Sequence, residues 1–125
     1  MSNPLLIKAF TTGGAVTKRR LVKFSAADRT VAQAAAATDL IVGAATELDA
    51  ASGARISVVL AGIADVEAGG NITRGSLVTA DADGKAVAAA PGSGVNIRVA
   101  GVALVSAASG DIIPVLLAPQ QIQGA

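Results

Sequence analysis

The chain has no cysteine, no histidine, no tryptophan and no tyrosine, and it carries only two phenylalanines and one methionine. Each absence removes a class of chemistry. Without histidine the usual proton shuttle near neutral pH is missing. Without cysteine there is no thiol nucleophile, no thiolate ligand for zinc or an iron–sulfur cluster, and no disulfide staple. Zero cysteine is compatible with either redox compartment. Two aromatic rings make no stacking platform for single-stranded nucleic acid, and none for a sugar. Charge of one sign is also lacking. Ten Lys and Arg oppose nine Asp and Glu, a net charge of +1, so no strong field attracts nucleic acid or an anionic membrane. Long apolar runs are missing too. Lys8 interrupts the opening MSNPLLIKAF, and the uncharged stretch from Ala86 to Ile97 is mostly alanine broken by Pro91 and glycines. No segment reads as a signal peptide or a membrane span.

What remains is small and apolar. Hydrophobic residues make up 52% of the 125, chiefly Ala, Val, Leu and Ile. That length suits one domain. Burial stabilises in proportion to apolar area, so a core of small side chains gains little per residue. Such a domain is expected to add buried area by oligomerising or by docking on something larger.

The strongest signal is internal similarity. Gly13–Val22, GGAVTKRRLV, aligns with Gly69–Val78, GGNITRGSLV, with five of ten positions identical. Ala50–Ala61, AASGARISVVLA, aligns with Ala107–Ala118, AASGDIIPVLLA, with eight of twelve identical. Asp28–Val31 lies near Asp83–Val87, and Gly43 matches Gly101, so the offset stays at 55 to 58 residues. Constant order and spacing predict a duplication. Two copies are too few for a solenoid. The expected arrangement is one globule of two similar β-units packed with pseudo-twofold symmetry. Residues 13–118 form the domain, with repeats at about 13–61 and 69–118. Residues 1–12 form an N-terminal arm and 119–125 a tail.

Short β-type runs between Gly and Asp turns predict an all-β fold. The strands fall at Arg20–Phe24, Thr30–Ala34, Leu40–Ala45 and Ile56–Leu60, then Leu77–Ala80, Val87–Ala89, Ile97–Val105 and Ile112–Leu117. Asp83–Gly84 is a hairpin turn, because glycine accepts positive φ. Ile56, Val58 and Leu60 alternate, as do their identical counterparts Ile113, Val115 and Leu117, so that face should point inward. Pro114, opposite in phase, marks an edge or bulge. Ala34–Ala37 favours helix by propensity but is short, and it reads as strand end and loop.

No motif points to catalysis or to a cofactor. Asp81-Ala82-Asp83-Gly84 lacks the further oxygen ligands of a calcium loop and reads as a turn. Gly92-Ser93-Gly94 lacks the third glycine of a dinucleotide fingerprint and reads as a loop. Glu47 with Asp49, and Asp65 with Glu67, are spaced to share a strand face, and they read as solvated carboxylates rather than an acid–base pair. No lysine is placed as the base for a serine nucleophile. No metal ligand set emerges.

Two features are left as candidates for partner contact. Lys18, Arg19, Arg20 and Lys23 form the one basic cluster, either a solvated turn or a patch for an acidic partner surface. Its counterpart is Arg74-Gly75-Ser76, so the cluster is specific to the first half, and places where similar halves differ are places where their surroundings differ. The arm carries Pro4, Leu5, Leu6, Ile7, Lys8 and Phe10. Pro4 disfavours helix before it, and the apolar residues suit a strand added to this sheet or to a neighbour's edge.

Taken in order, the arm, GGAVTKRRLVKF, VGAATELDAASGARISVVLAG, GGNITRGSLVTADADGKAV and GVALVSAASGDIIPVLLAP resemble the capsid decoration, or cement, proteins of tailed phages. The most specific piece is Gly69–Val87. Related sequences often carry an acidic residue where Ser76 stands here. The resemblance implies a compact β-barrel or β-tulip-like domain with an extended N-terminal arm and no catalytic site. It implies a homotrimer at three-fold or quasi-three-fold positions on the outer surface of the expanded head, bound to the major capsid protein and stabilising the shell. A tail, baseplate or spike component is the alternative structural role.

Overall fold

The computed structural model describes residues 3–124, and these contain nine strands in one sheet and no helix. In chain order they are β1 (Asn3–Thr12), β2 (Leu21–Phe24), β3 (Thr30–Gln33), β4 (Ile41–Ala45), β5 (Arg55–Glu67), β6 (Leu77–Ala80), β7 (Ala86–Ala88), β8 (Asn96–Ala103) and β9 (Ile112–Gln123). The all-β expectation holds. β5 and β9 run well past the expected ends at Leu60 and Leu117. The Ala34–Ala37 run is loop, pinned where the Asp39 carboxylate accepts the Ala35 and Ala36 N–H groups at 2.8 and 3.0 Å.

The strand pairings close on themselves. β1 pairs with β3, β3 with β2, β2 with β4, β4 with β5, and β5 returns to β1. A second ring runs from the far half of β5 through β9, β8, β6 and β7. One parallel bridge, Ala68 to Ala86, closes it. β5 belongs to both rings.

Register shows that the rings are copies. Val22 pairs with Gly43 as Val78 pairs with Gly101. Ala44 pairs with Val59 as Val102 pairs with Leu116. Phe10 pairs with Ile56 as Val66 pairs with Ile113. The bridge from Val16 to Ala50 recurs from Ile72 to Ala107. The duplication therefore includes β1, whose counterpart is Ile63–Glu67 of β5.

The core follows the same rule. One buried cluster is Phe10, Val16, Val22, Val31, Ala45, Ile56 and Val58. Their counterparts Val66, Ile72, Val78, Ala86, Ala103, Ile113 and Val115 all lie in the other. Each ring is thus filled by the same inward set. Ile56, Val58, Ile113, Val115 and Leu117 are buried as expected, while Leu60 is half-buried against the first cluster. Pro114 lies within β9, between β5 and β8. Its carbonyl accepts the Leu104 N–H at 3.1 Å, one residue beyond the end of β8. Pro114 is thus neither on an edge strand nor at a bulge: its missing donor faces Leu104, just past the end of β8, where one bond forms without its return partner.

The larger cluster also holds Leu21, Ala44 and Val59 of the first unit with Ala100 and Leu117 of the second. These are not counterparts of one another. The units therefore meet head-to-tail, by different faces, and not across the expected pseudo-twofold axis.

Candidate partner-binding surface

β1 lies along β5, antiparallel, from Asn3 opposite Ile63 to Thr11 opposite Arg55. Its far end is core. Phe10 is 8% exposed, and Thr12 is buried with its hydroxyl donating to the Ala51 carbonyl at 2.6 Å. The near end is different. Register shifts occur between Pro4 and Leu6 and between Leu6 and Ile7. A regular strand would turn alternate side chains inward, but bulges break that alternation. Leu5, Leu6 and Ile7 are consequently 81%, 52% and 48% exposed in succession. Pro4 and Lys8 are exposed as well.

Gly62 makes this path possible. Its φ is +94°, and a Cβ there would press on the Leu5 nitrogen and the Asn3 carbonyl. The backbone of β1 crosses where β5 has no side chain, and β5 turns at the same point into the second ring.

A cleft of about 230 Å³ opens beside this segment. Its lining includes Pro4, Ile7, Val59 and Ala64 together with the charged Arg19 and Asp65. No titratable group is brought together here in a nucleophile–base arrangement, and the described residues hold no group of three or more metal-ligating acidic side chains.

The basic cluster is mostly spent within the molecule. The Arg19 guanidinium lies 3.5 Å from Asp65 and 3.6 Å from Glu47. Arg20 lies 3.4 Å from Glu67, and its Nη1 donates to the Asp83 carbonyl at 2.8 Å. Lys85 meets the other Glu67 oxygen at 3.3 Å. Lys23 pairs with Asp39 at 3.4 Å. Lys18 is exposed, and its side chain makes no ion pair among the described residues. Asp65 and Glu67, read from sequence as solvated, are the partners of Arg19 and Arg20. Their spacing in the chain gave the shared face but not what lay opposite.

This placement explains why the cluster is specific to the first half. Arg19 and Arg20 stand where the first unit meets the second, and the Glu67 N–H donates to the Arg19 carbonyl at 2.9 Å. At the matching positions the second unit carries Gly75 and Ser76.

Residues 4–117 match the phage cement protein family. No curated protein matches the chain. Among solved structures the fold is similar to the N base of head fiber gp8.5 of bacteriophage phi29. The TM-score is 0.67 at 23% identity, over 90% of this chain and 93% of that one.

Proposed function

Because the chain belongs to the phage cement protein family, we propose that it is a non-enzymatic structural protein of the outer surface of a phage head. It binds the major capsid protein of the expanded shell, as a homotrimer at three-fold or quasi-three-fold sites, and stabilises that shell. The observation that carries this reading is the bulged half of β1. Three large apolar side chains in a row, Leu5, Leu6 and Ile7, are held outward on a paired strand instead of being buried in their own core. An exposed apolar patch of this kind marks an interaction site. Being already ordered, the segment loses little conformational entropy on docking.

The mechanism is mass action. A ligand that binds the expanded lattice and not its competitor states stabilises the lattice by RT ln(1 + [L]/Kd), about 2.7 kcal/mol per site at a hundredfold excess over Kd. Many sites on one shell multiply that figure.

The test is to incubate the purified, folded chain with expanded, undecorated heads and image the particles. Occupancy at symmetric surface sites is the expected result, and absence of binding would overturn the reading. Counting copies per virion separates a shell protein from a tail, baseplate or spike component, which would be present in far smaller number.

A further inference from the structure

Each unit carries one apolar row across four of its strands. In the first unit the row is Ile7–Val59–Ala44–Leu21. In the second it is Ile63–Leu116–Val102–Leu77. Paired residues across a sheet point to the same side, so each row is a continuous stripe. Three of the four members of the first stripe are covered: Leu21 and Ala44 are fully buried and Val59 nearly so, where the second unit packs on them, while Ile7 at the end of the row is 48% exposed. In the second stripe no member is buried, and Leu116 is 43% exposed.

The reason lies in the strand that follows. β5 turns at Gly62 and carries the second unit across the first stripe. In β9 the corresponding position is Pro119. That strand instead runs straight on, paired with β8, to Gln123 opposite Asn96. The second stripe is left open.

We propose that a second copy of this chain seats its first unit on the stripe Ile63–Leu116–Val102–Leu77, repeating between copies the junction found within one. The inference shares with the proposed function the expectation of self-association, and it adds the faces and the head-to-tail sense.

Three observations identify the occupant. First, the first unit bears the matching face. Ala80, Ala100 and Leu117 of the second unit are buried in the cluster that includes the junction. Their counterparts Phe24, Val42 and Leu60 are uncovered to different degrees, Phe24 being 53% exposed and the other two half-buried. Second, the charges match by joint absence. Within the chain, Arg19 and Arg20 meet Asp65 and Glu67. Between copies the same positions are Gly75 and Ser76 facing Ala9 and Thr11, so both sides of these two ion pairs are absent together. Third, the sizes exchange. Within the chain, bulky Arg19 shares the cleft with small Ala64. Between copies, Gly75 leaves room for Lys8, whose stem covers apolar surface while its ammonium reaches the rim. A head-to-tail contact of this kind forms a ring when its rotation closes, and closure at three copies gives the trimer proposed above.

Sedimentation of the full chain, wild type and Leu116→Asp, tests the inference. Wild type is expected to sediment as a closed oligomer and the variant as a monomer with an unchanged far-ultraviolet spectrum. Phe24→Asp, on the opposite face, is expected to do the same. The chain has no cysteine, so introduced thiols report on their own contacts alone. Leu60→Cys and Leu116→Cys proteins, mixed and treated with a short thiol cross-linker, should join to each other. Neither should join to itself. A monomeric wild type, an oligomer that survives both charge variants, or a 116-to-116 cross-link would overturn the proposal. So would a Leu116→Cys chain that cross-links to capsid protein and not to its own kind. Binding to expanded heads is scored separately, so failure of capsid attachment is distinguishable from failure of self-association.

Discussion

Replacing Phe10 with alanine separates the two ends of β1. Phe10 fills the first ring beside Val16, Val22, Val31 and Ile56 and is 8% exposed. Removing a buried phenylalanine side chain costs about 3–5 kcal/mol, from lost transfer free energy and the cavity left behind. Against a total stability of about 5–15 kcal/mol for a small domain, that is a large fraction. At roughly 3–5 °C per kcal/mol for a chain of this length, the melting temperature should fall by about 10–20 °C. The counterpart in the second ring is the smaller Val66. Val66→Ala removes two methyl groups at about 0.8 kcal/mol each plus a cavity term, and should cost about 2–3 kcal/mol. Leu5→Ser, on the same strand as Phe10 but 81% exposed, should stay within about 0.5 kcal/mol. Urea unfolding followed by far-ultraviolet circular dichroism reads all three, with the m-value checked for constancy. A loss below about 1 kcal/mol for Phe10→Ala, equal to that of Leu5→Ser, would refute the reasoning. It would mean that β1 detaches in solution and that the first ring is not closed.

Three further outcomes follow from particular geometry. Arg19 holds φ at +59°, where its counterpart Gly75 holds +89°. Arg19→Ala should cost about 1 kcal/mol through its partly exposed ion pairs, whereas Arg19→Gly should be about 1 kcal/mol more stable than the alanine variant, because only glycine is unstrained there. Equal melting of the two would contradict this. Gly43→Ala places a Cβ against the Val59 carbonyl oxygen and should cost at least about 2 kcal/mol. Gly14→Ala, with open space around it, should be neutral or slightly stabilising, and calorimetry compares the two. Glu67→Gln weakens its contacts with both Arg20 and Lys85. The cost should be about 1 kcal/mol in dilute buffer and shrink in 1 M salt, where the Debye length is about 3 Å; a salt-independent loss would point to packing instead.

Much of the fold was legible because it depends on local chemistry. Alternation placed Ile56, Val58, Ile113 and Val115 inside. The matched blocks announced two units, and Asp83–Gly84 announced its turn. There the Asp81 carboxylate accepts the Asp83 and Lys85 N–H groups, each at 2.9 Å. The ends of β5 and β9 were not legible. The apolar alternation stops at Leu60 and Leu117, yet pairing with β1 and β9 carries β5 on through Gly62 and Asp65, and pairing with β8 carries β9 on to Gln123. The candidate surface was half legible. Apolar residues near the N-terminus drew attention, but the bulges that turn Leu5, Leu6 and Ile7 outward while Phe10 turns inward depend on register, which no single strand encodes.

The sequence by itself determined the absence of thiol and imidazole chemistry, the β character and the duplication. These rest on residue type and spacing, which are properties of the chain. Tertiary structure alone decided that the copies join head-to-tail through β5, that Arg19 and Arg20 face carboxylates of the other unit, and that Leu21, Ala44 and Val59 are covered while their counterparts Leu77, Val102 and Leu116 are not. Two of the four positions carry the same residue in both stripes, and all four are apolar in each. Burial differs because β5 can turn at Gly62, whereas β9, with Pro119 at that place, runs on along β8.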